Sequence, residues 1–193
     1  MENNKDDGIK LKAIQEILES DKTIKFLLDT NVILAYLNAK NDFHLEAKTS
    51  IDALVLKDVW FIIPHLVMGE FIAHRNLLGK GNYSVNKALD NFSNFREKLK
   101  NTLLGGPPLN AKIIIDFYKK HSKYKKLTAS GFADFMILVQ AETINNIRVL
   151  TCDKKMYDCS KSIFKKRIYY LPSRTKKIKS DYPRLMLEIQ QGF

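Results

Sequence analysis

Ile24-Lys25-Phe26-Leu27-Leu28-Asp29-Thr30-Asn31 is the stretch whose reading decides the fold. Its first five residues have the length and apolar character of a buried strand. Asp29, Thr30 and Asn31 all favour helix starts, so a helix opens at once and runs to about Asn38. A strand that passes directly into a helix is the building unit of an α/β sheet, and such sheets gather ligands outside the carboxyl ends of their strands. Asp29 stands at that junction.

The same alternation continues along the chain. A second helix spans about 43–57, and Val59 to Ile63 is a strand stopped by Pro64. His65 to about Leu78 is helical and is broken by Gly79-Lys80-Gly81-Asn82. Residues 84–103 carry Val85, Ala88, Leu89, Phe92, Phe95, Leu99 and Leu103 at helical spacing. That stripe is wide for a lone surface helix, so it packs on the rest of the chain or on a second copy. Gly105-Gly106-Pro107-Pro108 is a loop, and helices follow over about 110–121 and 131–145. Arg148 to Thr151 and Arg167 to Leu171 read as strands. The expected architecture is a compact, three-layer α/β fold with a mostly parallel central sheet flanked by helices. Residues 24–172 form this domain. A helical extension, 1–23, precedes it, and a basic tail, 173–193, follows Pro172.

Four acids share the setting of Asp29. Asp29 and Asp153 end apolar strands, while Glu70 and Asp134 sit early in apolar helices. Each has an ordinary explanation taken alone: an N-cap for Asp29, a solvated helix position for Glu70, a helix start for Asp134, a turn or cap for Asp153. Taken together they are poorly solvated carboxylates with no histidine partner. Such a cluster calls for a cation, and the oxygen donors suit Mg²⁺ or Mn²⁺.

The surroundings are basic. The 193 residues carry 32 Lys and Arg against 21 Asp and Glu, a net charge of +11. Setting aside the four acids leaves 32 basic against 17 acidic residues, a surplus of +15. An acidic metal site in a basic protein points to chemistry on a polyanion, with nucleic acid the obvious one. The cluster Lys119-Lys120-His121-Ser122-Lys123-Tyr124-Lys125-Lys126 offers phosphate contacts and an aromatic ring for stacking, and Arg75 is a further phosphate candidate. Cys152 and Cys159 lack metal or redox spacing and read as reduced thiols of a cytoplasmic protein. The polar Met1 to Asp7 is unlike a secretory signal, and no apolar run reaches the ~18 residues of a membrane span.

On Leu27-Leu28-Asp29-Thr30-Asn31-Val32, Glu70, Asp134 and Val149-Leu150-Thr151-Cys152-Asp153-Lys154, in this order and at these separations, the chain resembles the PIN-domain nucleases, among them the VapC-type toxins. The resemblance covers roughly residues 24–172. It implies a PIN-like fold and a metal-dependent endoribonuclease that hydrolyses RNA phosphodiester bonds with Mg²⁺ or Mn²⁺. It implies Asp29, Glu70, Asp134 and Asp153 as metal-binding and catalytic acids, with Thr30, Asn31 and Thr151 as supporting polar residues. Among partners it implies RNA and, for a toxin, a homodimer and an antitoxin protein. The N-terminal helix, the long interval between Glu70 and Asp134 and the basic tail depart from the compact toxin pattern. Two other functions remain open: a non-catalytic RNA-binding or scaffolding module, and a DNA nuclease of the flap type, although the latter usually has more acids.

Overall fold

A computed structural model describes residues 12–73, 84–121, 131–173 and 181–193. Five parallel strands form one sheet in the order β3-β2-β1-β4-β5. They are β1 (Lys25–Leu28), β2 (Trp60–Ile63), β3 (Thr102–Leu104), β4 (Ile147–Thr151) and β5 (Ile168–Tyr170). The expected sheet was mostly parallel; every pairing among the described residues is parallel. All four residues of β1 are buried. Alternate residues point to opposite faces, so continuous burial means that both faces of the central strand are covered.

Nine α-helices flank the sheet among the described residues. They are α1 (12–19), α2 (Thr30–Leu37), α3 (His44–Val55), α4 (His65–Ala73), α5 (Val85–Lys98), α6 (Ala111–His121), α7 (Phe132–Glu142), α8 (Lys154–Phe164) and α9 (Tyr182–Gln191). The core is one continuous cluster that runs from Leu18 of α1 through the strands to Ile189 of α9.

Lys25 fixes the foot of the central strand. It is fully buried, and its ammonium donates to the carbonyls of Ser20 (2.5 Å), Thr23 (3.0 Å) and Asn145 (2.8 Å). Burial disfavours the charge and lowers its pKa, with Asp21 acting in the opposite sense. The three carbonyls tie the turn before β1 to the turn before β4.

The stretch 84–103 is not one helix. Ser84 caps α5, accepting from the Lys87 N–H at 3.2 Å, but the helix ends at Lys98. Lys100 has φ +49°, which turns the chain out of the helix. Thr102–Leu104 then becomes the edge strand β3, with Leu103 opposite Ile62 of β2. Leu103 follows Leu99 by four positions, which mimics helical spacing. The stripe of Phe92, Phe95 and Leu99 packs inside its own chain. Phe92 meets Phe71 at 5.6 Å between ring centres, and Phe95 meets Tyr36 at 5.1 Å.

The sequence reading assigned no helix after residue 153. The structure places α8 there, and the stretch read as a tail contains α9. Leu185 and Ile189 of α9 are buried, and Arg184 lies 4.3 Å over the Tyr169 ring. No helix among the described residues is long and apolar enough to cross a membrane.

Candidate active site

The site begins where β1 and β4 end side by side. Leu28 is paired with Leu150, so Asp29 and Thr151 follow at the same edge of the sheet. Asp29 is 1% exposed. It occupies the N-cap position of α2, yet its carboxylate makes no capping hydrogen bond. The Thr151 hydroxyl donates to Asp29 Oδ2 at 2.8 Å, and Asn31 Nδ2 lies 3.5 Å from the same oxygen. The carboxylate therefore faces the end of the sheet, not its own helix.

Thr151 also accepts from the Asp153 N–H at 2.9 Å, which sets the turn into α8. Asp153 caps that helix: its Oδ1 accepts from the N–H groups of Lys155 (2.6 Å) and Met156 (2.9 Å). Only its second oxygen is open to a ligand. On α4, Glu70 Oε2 accepts from the Thr30 hydroxyl at 2.5 Å. This bond ties the fourth helix to the first turn after β1. Asp134 lies in the first turn of α7, behind Gly131, whose φ of +126° is a backbone conformation that L side chains rarely adopt.

The electrostatics show that the four acids act on one another. Burial, followed by the charges of Asp29, Asp153 and Glu70, raises the Asp134 carboxyl to about 7; Lys155 opposes this. Burial raises Asp29 to about 6; the Thr151 hydrogen bond opposes that, while Asp153 and Glu70 add to it. The fold gathers more negative charge here than its own side chains neutralise. Carboxylate oxygens are the donors that Mg²⁺ and Mn²⁺ prefer, and the donor set fits such an ion. Among the described residues no three His, Cys, Asp or Glu side chains are drawn together tightly enough to hold an ion as they stand. An open, self-repelling cluster suits an ion that keeps several of its waters, as Mg²⁺ does.

The other candidates fall elsewhere. Arg75, Lys123, Tyr124, Lys125 and Lys126 lie outside the described residues. Lys119 and Lys120 are in the last turn of α6, and Lys120 pairs with Glu142. Asp158 pairs with Lys154 and with Lys161 (2.9 Å), so its charge is directed along α8. Cys152 and Cys159 are buried free thiols, and burial holds the Cys152 thiol well above its usual range, with Asp29, Glu46 and Asp153 adding to the effect.

Several neighbours of the site escaped the sequence reading. Glu46, in the first turn of α3, acts on Cys152, and its buried Oε2 has no hydrogen-bond partner among the described residues. Asn41, Phe43, Lys154 and Lys155 line a cleft with Asn31 and Asp153. Lys154 and Lys155 directly follow a recognised acid, which was the available signal. Asn41 and Phe43 are in a loop without periodicity and gave none.

A family model for the PIN domain matches residues 26–161. No curated protein matches. One similar solved structure is described as a domain of a functionally unknown protein from Methanocaldococcus jannaschii DSM 2661. It is 22% identical, with 81% of this chain and 97% of that chain covered and a TM-score of 0.48. The family match spans well over half of the sequence, from β1 into α8, and includes every segment that contributes an acid to the cluster; the chain belongs to the PIN-domain family, whose members are generally metal-dependent nucleases.

Proposed function

We propose that this protein is an endoribonuclease that hydrolyses RNA phosphodiester bonds with Mg²⁺ or Mn²⁺ held by Asp29, Glu70, Asp134 and Asp153. The observation that carries the reading is a set of carboxylates brought within reach of one another's charge at a buried junction: burial first, and the neighbouring acids after it, raise Asp29 to about 6 and Asp134 to about 7. The bound ion would neutralise charge on the phosphate and lower the pKa of a water. Thr151 holds Asp29 and Thr30 holds Glu70, so these two carboxylates are aimed before substrate arrives. The open oxygen of Asp153 can orient the attacking water or take part in a second ion site. The basic surplus favours RNA over a neutral substrate, and a Lys-rich surface grips phosphate without reading bases.

Asp29→Asn tests the site. It should abolish most RNA cleavage, shrink the rise in melting temperature caused by Mg²⁺ or Mn²⁺, and leave the metal-free protein at least as stable as before. Asn caps a helix about as well as Asp, so unchanged cleavage and an unchanged metal response would reduce Asp29 to a structural residue. A wild type that binds RNA without cleaving it would support the scaffolding alternative; cleavage confined to DNA flaps would support the DNA nuclease. Toxin and RNA-processing roles share this chemistry. Growth arrest on induced expression, relieved by a small neighbouring gene product, separates them.

A further inference from the structure

Beside Asp153 lies a cleft of about 390 Å³ with polar, charged and aromatic residues in its lining. Its volume is at the lower end of the ~300–1,000 Å³ typical of small-ligand sites. That size suits one unstacked nucleotide and excludes a duplex. It is lined by Asn31 and Asp153 of the proposed active site together with Asn41, Phe43 and the first turn of α8.

The chemistry of the walls is divided. Phe43 is half-buried, packs against the core and lines the cleft. Asn41 Oδ1 accepts from the Phe43 N–H at 2.9 Å, which leaves Nδ2 as a donor. Asn31 turns Nδ2 toward Asp29, which leaves Oδ1 as an acceptor. The two lysines differ. Lys154 is drawn along α8 by Asp158 and lies 5.7 Å from the Tyr157 ring centre. Lys155 is exposed, makes no ion pair among the described residues, and is near enough for its charge to act on Asp134. Lys155 is thus a cation that both lines the cleft and acts on the acids.

We propose that this cleft is a one-nucleotide subsite beside the scissile phosphate, in which Phe43 stacks on an unpaired base, Asn41 and Asn31 contact the base edge, and Lys155 holds the adjoining phosphate. An aromatic face, amide groups and a cation in one small cleft match the three parts of a nucleotide. The position of the phosphate relative to the acids rests on the nuclease reading above; the binding itself does not.

The test is binding of a short, fluorescently labelled single-stranded RNA to the full chain by anisotropy, without metal, alongside cleavage kinetics with Mg²⁺. Phe43→Leu keeps apolar packing and removes the ring. It should bind about tenfold more weakly and raise KM, while melting close to wild type, and Phe43→Trp should restore binding. Lys155→Ala should weaken binding and make its dependence on log salt shallower by about one. Wild-type affinity in Phe43→Leu would overturn the subsite, whatever Lys155→Ala does, since a lysine alone is only a phosphate contact. If the wild type fails to cleave RNA but binding still depends on Phe43 and Lys155, the nuclease reading fails and the subsite stands. If RNA is cleaved and Phe43→Leu leaves both KM and affinity unchanged, the subsite fails and the nuclease reading stands.

Discussion

Thr151 is the side chain through which two of the acids are connected. Its hydroxyl donates to Asp29 and accepts from the Asp153 N–H, and it is completely buried. Thr151→Val keeps the shape but leaves both groups without that partner. A loss of about 1–3 kcal/mol in chemical denaturation follows, since that is the cost of an unsatisfied buried polar group. Thr151→Ser should retain most of the stability and the cleavage that Thr151→Val loses. The raised carboxyls predict a pH response. Without metal, Asp29 and Asp134 hold protons more tightly in the folded chain than in the unfolded one. Their contribution to stability is complete below about pH 4 and is lost as pH rises through about 6 for Asp29 and about 7 for Asp134. Thermal melts in chelator should therefore show wild type losing ground to Asp29→Asn across that interval. Added Mg²⁺ at pH 7 should reverse the loss, and parallel curves would contradict it. The sequence singled out Asp29 and Asp153 because each follows an apolar strand, Asp134 because it opens an apolar helix, and Glu70 because it lies within one. That Thr30 supports a carboxylate was legible; that the carboxylate is Glu70 was not. The two residues are 40 positions apart, and only the packing of α2 against α4 joins them.

Strands were readable where an apolar run met a clear stop. Asp29 ends β1, Pro64 follows β2, and Asp153 lies just beyond β4. Edge strand β3 was missed because three residues carry no period of their own, and Leu103 continued the spacing of the helix before it. In α9, Lys and Arg nearby drew attention to charge and away from Leu185 and Ile189. Pro183 stands in the first turn of this helix, a position to which proline is well suited. Lys25 shows the same limit from the other side. A lysine in an apolar strand reads as an interruption, yet its three carbonyl partners make it a clasp between the turns leading into β1 and β4. Lys25→Met would fill similar space and leave three carbonyls without their donor. Chemical denaturation should report a loss of about 1–3 kcal/mol, or more if the carbonyls stay dry; an unchanged midpoint would show that water replaces the ammonium without cost.

On the proposed RNA reading, the surplus of +15 outside the four acids predicts a salt-sensitive grip. Affinity should fall steeply with salt, because each phosphate neutralised releases counterions. Replacing Lys123, Lys125 and Lys126 with Ala should lower affinity and flatten the salt slope while leaving the metal-induced melting shift intact. Binding that is level between low and moderate salt would exclude a mainly electrostatic grip. The bond between Thr151 and Asp29 has a consequence in time. It spans 122 positions of chain, and parallel pairing over such distances is slow to form. Synthesis delivers β1 and its acid first and β4 much later. A growing chain thus carries Asp29 and Glu70 for much of its translation, with β2 beside β1, before Asp134 and then β4 follow close together. If the RNA reading holds, the ribosome and the message being read meet an incomplete set of acids until Asp153 has emerged, and a chain terminated before β4 lacks both the strand and the fourth acid.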